Sequence, residues 1–179
     1  MPVSSTQPAG SGPAQAPVTF HIRHVQPADA RAWADLRAEL WPEEDPDLLA
    51  TEVARFLDGS PPEGAGMPEA VLVAVESSAR GPLLGFAELS RRTYAEGCGT
   101  SPVGFLEGWF VVAHRRRQGI GRALVRAAEA WARALGCREF ASDALADNMV
   151  SARAHRALGF DEVGIIRCFR KPLESGGDR

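Results

Sequence analysis

The densest chemistry in the chain lies in Arg115-Arg116-Arg117-Gln118-Gly119-Ile120-Gly121, a basic run and two glycines placed between a strand-like segment and a helical pattern. Between Ala113 and Arg138 stand seven arginines against one acid, Glu129. A strand feeding glycines and then a helix offers unpaired N–H groups and the positive end of the helix dipole, and the glycines let a phosphate come close to the backbone. Such a junction is an anion cradle. A nucleoside triphosphate is disfavoured as its ligand, because no Lys-Ser/Thr follows Gly121, and a dinucleotide is disfavoured because the third glycine of G-x-G-x-x-G is missing. A second group of residues has the opposite sign. Around Trp41-Pro42, Glu39, Glu43, Glu44, Asp45 and Asp47 put five acids in nine residues with no basic partner among them, and Glu107 and Asp143 lie further on. That pattern suits a cationic ligand at the other end of the site.

Histidine and cysteine contribute little. His21 and His24 are expected on opposite faces of one strand and cannot share a metal ion, and His114 borders the arginine run in solvent, so no metal is expected. Cys98, Cys137 and Cys168 are odd in number and lack C-x-x-C spacing, which predicts reduced, mostly buried thiols rather than a disulfide framework.

The elements that must position these groups follow from periodicity. Residues 1–19 hold four prolines and no charged side chain and read as a flexible tail, 20–173 as one domain, and 174–179 as a second flexible tail. A strand from Phe20 to Val25 precedes a helix with Trp33, Leu36 and Leu40 on one face, and Leu49, Val53, Phe56 and Leu57 mark a second helix. A loop from Asp58 to Pro68 leads to two strands, Val71 to Glu76 and Leu83 to Arg91, joined as a hairpin. The most strand-like segment, Phe105 to Val112, ends at the arginines. A long helix starts near Gly119 with Leu124, Ala127, Ala128, Trp131 and Leu135 as its buried stripe. A short strand from Glu139 to Ser142, a helix from Asn148 to Leu158 and a closing strand from Val163 to Arg170 complete a β-α-α-β-β-β-α-β-α-β order. This is an α/β layer with a mixed central sheet flanked by helices. The formal charge of −3 gives no general field for nucleic acid or anionic lipid, and no apolar run nears the roughly 20 residues of a membrane span or forms a signal peptide. The expected location is cytoplasmic.

The spacing Arg116-x-x-Gly119-x-Gly121, with Asn148 and Leu158-Gly159-Phe160 later, resembles the GNAT acetyltransferase superfamily over about residues 20–171. A closer likeness lies in Leu40-Trp41-Pro42, Tyr94 with Gly97-Cys98 and Ser101-Pro102-Val103, Phe105-Leu106-Glu107-Gly108, and Gly136-Cys137-Arg138-Glu139 running to Ala141-Ser142-Asp143. These resemble the aminoglycoside 6′-N-acetyltransferases. The resemblance implies the GNAT fold, acetyl-CoA as co-substrate, an aminoglycoside as acceptor and a homodimer. It implies that Trp109, Phe110 and Val111 bind the pantetheine arm through their backbone. Arg117, Gln118, Gly119, Ile120, Gly121 and Arg122 would hold the pyrophosphate, with Asn148 hydrogen-bonding the pantetheine. Trp41, Tyr94, Glu107 and Asp143 would line the acceptor pocket. His155 stands where many GNAT enzymes carry a tyrosine proposed to protonate the departing thiolate, and an acidic residue expected near Gly164 is absent.

Direct transfer to an amine raises a conflict, because carboxylates favour the ammonium form, and an amine of pKa about 10.4 is neutral in only about one molecule in 2,500 at pH 7. The expectation is a division of labour in the catalytic pair: Asp143 and the acidic loop grip amines that do not react, while Glu107 takes the proton of the one that does. Ordinary readings stand beside these: a paired strand carboxylate for Glu107, a helix or turn cap for Asp143, simple packing for Trp41. The alternative functions are a GNAT enzyme acting on a protein N-terminus, lysine or other small amine, and a non-catalytic CoA sensor.

Overall fold

The computed structural model describes residues 18–60, 68–78 and 81–172, so most of the expected N-terminal tail, the C-terminal tail and much of the loop after residue 60 lie outside the described residues. Five strands form one sheet in the order of the chain: β1 (Phe20–His24), β2 (Ala70–Glu76), β3 (Leu83–Arg92), β4 (Val103–Val111) and β5 (Phe140–Ser142). Neighbours from β1 to β4 pair antiparallel, and β5 pairs parallel to β4. The sheet is therefore mixed, as expected.

The central strands are apolar on both faces, as in Ala-Val-Leu-Val-Ala-Val of β2, because helices cover both sides. On one face α3 (Ile120–Ala134) lays Ile120, Leu124, Val125 and Ala128 against Leu72, Leu84, Ala87, Leu89 and Leu106. On the other, α1 (Ala30–Leu40) and α2 (Pro46–Asp58) bring Trp33, Leu36 and Val53 onto Val71, Val73, Phe86 and Phe110. Burial of each large side chain contributes about 1.5–3 kcal/mol, which fixes both layers to the sheet. Leu135, expected in the buried stripe of α3, instead follows the helix as its C-cap residue and is exposed; the inward fifth position is Ala132, one helical turn after Ala128.

Two further expectations change. Cys137 is buried, but Cys98 is half-buried and Cys168 exposed, so the thiols are not mostly buried. The strand expected from Val163 to Arg170 does not form: after α4 (Met149–Ala157), residues 160–172 carry no regular secondary structure. A strand exists only against a partner edge, and the alternating apolar residues of this segment find none within the described chain. Val163, Ile165, Ile166 and Phe169 stay exposed.

Candidate active site

β4 is the strand on which the site is built. Its β3 edge is paired along its length, from Val103 opposite Arg92 to Val111 opposite Gly85, whereas its β5 edge is paired only at Gly104, Phe105 and Leu106. Beyond the Leu106–Ser142 pair the two strands part. The backbone of Trp109, Phe110 and Val111 is thus left facing an opening with no strand on that side among the described residues, able to accept an extended ligand as a further strand.

The cradle begins where β4 ends. Arg115 pairs with Glu76 at 3.1 Å, and Arg116 donates from Nε to the Val111 carbonyl at 2.9 Å with its guanidinium 5.5 Å from the Phe110 ring. These two arginines are tied to the sheet. Arg117 and Arg122 are exposed and make no ion pair among the described residues, so their charge remains available. The chain turns into α3 through Arg117 at φ 61° and Gly119 at φ 85°, a left-handed backbone that costs a side chain strain and that glycine adopts freely. Among the described residues no side chain caps the N-terminus of α3, unlike α2, where Asp45 accepts from Asp47 N, and α4, where Asn148 accepts from Ser151 N. The first amides of α3 therefore keep their capacity for an anion.

The two glycines do different work. A Cβ on Gly119 would meet nothing within 4 Å, so this position leaves room for a ligand, whereas a Cβ on Gly121 would lie 2.7 Å from the Trp109 ring. Gly121 is needed for close approach of helix and strand. The Trp109 indole N–H and the Gln118 amide oxygen are buried with no hydrogen-bond partner among the described residues. Both belong to the expected cofactor set, and a polar ligand entering the opening would relieve them. An open strand edge, an uncapped helix start and two orphaned polar atoms fit a phosphorylated, amide-bearing arm such as that of coenzyme A.

The residues expected to line the acceptor pocket lie on the β3 side and at the parting of the strands. Glu88 pairs with Gly108 but Leu89 with Leu106, which leaves Glu107 as the extra residue of a bulge. Its carboxylate is not free. It accepts from the Ser90 hydroxyl and from Arg92, at 3.1 Å from Nε and 2.5 Å from Nη2, and the Arg92 guanidinium lies 3.3 Å over the Phe105 ring. Trp41, the C-cap residue of α1, packs its ring against Gly108, where an added Cβ would approach to 2.7 Å, and the Arg37 guanidinium lies 5.1 Å from the ring centroid. Tyr94 is 65% exposed in the loop after β3, a loop held by Glu139, which accepts from the Gly99 and Thr100 amides and the Thr100 hydroxyl. Those hydrogen bonds hold the Glu139 carboxyl below its ordinary pKa. Asp143 is exposed and follows Ser142, whose hydroxyl donates to the Leu106 carbonyl at 3.1 Å, so it starts the departure of the chain from β4. It caps neither flanking helix. In the acidic loop, Asp45 serves as the N-cap of α2, while Glu43 and Glu44 are exposed. Asn148 already spends its side-chain oxygen on capping α4.

Sequence reasoning missed three residues that shape this face. Glu88 is 1% exposed, accepts from the Trp33 indole N–H at 3.0 Å, and pairs with Arg37 Nε at 3.0 Å; Arg37 reaches Glu52 at 2.9 Å. Burial pushes the Glu88 carboxyl up to about 7, opposed by Arg37 and Trp33 and reinforced by Glu52 and Glu107. An acid inside the otherwise apolar run Leu83 to Leu89 was the available signal for Glu88 and its partner Arg37. Arg92 had none. His155, in contrast, lies between Trp109 and Phe160, with Nδ1 2.9 Å from the Ser151 carbonyl and Nε2 3.0 Å from the Ser142 hydroxyl. A carbonyl only accepts, so Nδ1 carries a proton.

The model of the acetyltransferase (GNAT) family matches residues 30–160. An aminoglycoside N(6′)-acetyltransferase type 1 from Klebsiella aerogenes is 51% identical over 152 residues, covering 85% of this chain and 96% of the relative. One from Stenotrophomonas maltophilia is 45% identical over 154 residues, covering 86% and 94%. The solved structure of AAC(6′)-Iy in complex with the bisubstrate analogue CoA-S-monomethyl-acetylneamine superposes with a TM-score of 0.74 at 34% identity, covering 87% of this chain and 99% of that one.

Proposed function

The chain belongs to the acetyltransferase (GNAT) family and is an acetyl-CoA-dependent N-acetyltransferase; from that premise we propose that its acceptor is an aminoglycoside, acetylated on the 6′ amine. The observation that carries this reading is the parting of β4 from β5 after Leu106 and Ser142. Glu107 on β4 and Asp143, the residue after β5, stand at its mouth, and the basic, uncapped start of α3 lies at the far end of β4. An anionic donor and a polycationic acceptor are thereby drawn to opposite ends of one strand.

Trp109, Phe110 and Val111 bind the donor through their open backbone edge, Arg117 to Arg122 hold its pyrophosphate, and Asn148 contacts the pantetheine through the side-chain amide left after capping. Bound acetyl-CoA supplies the activated acetyl group. Trp41 and Tyr94 cover the sugar faces of the acceptor, while Asp143 and the acids Glu43 and Glu44 grip ammonium groups that do not react. Glu107 faces the reacting amine and, through a water, passes its proton to solvent. An N–H of Phe110 or Val111 stabilises the developing oxyanion, and holding both substrates together supplies much of the rate by orientation. Removing one amine's positive charge weakens the acceptor's grip on anionic targets, which is how the reaction confers resistance. No described helix is long and apolar enough to cross a membrane. A need for acetyl-CoA argues for the cytoplasm.

The reading includes a homodimer. Among the described residues the short strand β5 has no partner on its outer edge, which lies beside a groove lined by Cys98, Phe140, Leu158, Phe160 and Val163, and the exposed apolar residues of 163–169 have the alternation of a strand. Joining edge and segment between two copies would bury both.

Thiol release from acetyl-CoA tests the acceptor assignment. Kanamycin is expected to drive release far faster than a panel of peptides with free N-termini and lysines. Faster release with peptides would make the enzyme a protein acetyltransferase, and donor binding with no release for any amine would make the chain a sensor.

A further inference from the structure

Glu107 meets the acceptor with its charge already answered. Its two carboxylate oxygens receive both arms of the Arg92 fork and the Ser90 hydroxyl, and the guanidinium is pressed against Phe105, itself buried, so it has little freedom to swing away. A bare carboxylate at this position would hold the amine as ammonium, which has no lone pair to attack with. A carboxylate paired with a fixed cation leaves hydrogen-bonding capacity without net negative charge, and the nearby guanidinium opposes the protonated amine.

We propose that Arg92 is a positioning residue of the acetyl transfer: by holding Glu107 as an ion pair it keeps the amine at that carboxylate in its neutral, nucleophilic form. The inference rests on Glu107 as an acceptor contact. The ammonium proton leaves to water beside Glu107. The freed nitrogen lone pair forms the N–C bond at the thioester carbonyl, and the C–S bond breaks with its electron pair leaving on sulfur as the thiolate. The nitrogen, cationic once that bond has formed, gives up its second proton to solvent while the thiolate takes one up.

The surrounding charges leave this task to Arg92. On β3, Glu88 faces the same region but is answered by Arg37, which also holds Glu52 of α2. Arg91 is turned to Glu69 at 2.7 Å. Glu139, at the start of β5, is spent on the 99–100 loop, Tyr94 projects from the loop after β3, and Asp143 beyond β5 is exposed. The result is two kinds of acid. Exposed ones bind ammonium groups at a distance from the reaction, and the one paired with arginine receives the amine that must lose its proton.

The test is the rate of a single turnover from preloaded acetyl-CoA to kanamycin, followed from pH 5.5 to 9.5 for the natural protein, Arg92→Gln, Arg92→Met, Arg92→Lys and Glu107→Gln. The Arg92 side chain is 38% exposed, so neutral replacements are expected to fold, and either one suffices. Loss of the cation should move the midpoint of the pH profile up by about half to one unit, slowing transfer about three- to tenfold at pH 7. The KM for kanamycin should stay level or fall, because Glu107 is released to bind it. Arg92→Lys should stay within about twofold of the natural protein. A merely structural arginine would raise that KM and leave the midpoint alone. Superimposable profiles for the neutral variants, or a lysine variant that shifts as they do, would overturn the inference while a changed Glu107→Gln leaves the acceptor assignment standing. If Glu107→Gln alters neither rate nor kanamycin KM, the acceptor contact is refuted and the inference with it.

Discussion

Glu88 shows what a single residue can cost and set. It sits in a strand of Leu, Phe and Ala, held by Trp33 and Arg37, with burial raising its pKa to about 7. The unfolded chain ionises this carboxyl near pH 4.3, so between about pH 4.5 and 7 the folded state binds the extra proton. Its burial penalty is therefore fully present above pH 7 and is relieved as pH falls through that range. Thermal unfolding of the natural protein and Glu88→Gln should show the variant's relative advantage greatest near pH 8 and shrinking toward pH 5; a difference that does not change with pH would contradict the assignment. The features of the candidate site that spacing carries were legible in the sequence: the glycines before a helix, the Phe-Leu-Glu-Gly strand and the acids after Trp41. Arg92 and Ser90 were not. Their meeting with Glu107 depends on a one-residue bulge between β3 and β4, and nothing in the local pattern of either strand announces its register.

At the scale of elements, the fit of α3 against β4 decides whether the cradle points into the opening. Gly121 permits that fit by leaving space for Trp109. Gly121→Ala should lower stability by about 1–3 kcal/mol, the usual cost of overpacking, and weaken acetyl-CoA binding in calorimetry together with it. Unchanged affinity and unfolding midpoint would mean that the strand and helix do not need this contact. Helices and central strands were readable from apolar periodicity because each buries its face within one chain. The closing strand was misread for the complementary reason: Val163, Ile165 and Phe169 alternate as a strand should, but pairing is a property of two segments and the described chain supplies only one. The missing side-chain stripe at Leu135 has a simpler origin, since the helix ends one residue earlier.

The whole molecule carries a net charge of only −3, yet distributes it into a basic end at α3 and an acidic stretch from Glu43 to Asp47 between α1 and the start of α2. That separation matters more than the total, because donor and acceptor are of opposite charge. The exposed 163–169 segment adds a second requirement at this scale. Phe169 is 92% exposed, and Phe169→Asp should shift sedimentation from a dimer toward a monomer; a natural protein that sediments as a monomer at micromolar concentration would remove the dimer from the account. The central claim is the transfer of acetyl to one particular amine of an aminoglycoside. NMR of the kanamycin product formed with acetyl-CoA tests it most directly: the account predicts a single new amide on the 6′ nitrogen, and an acetyl group on any other nitrogen would contradict it.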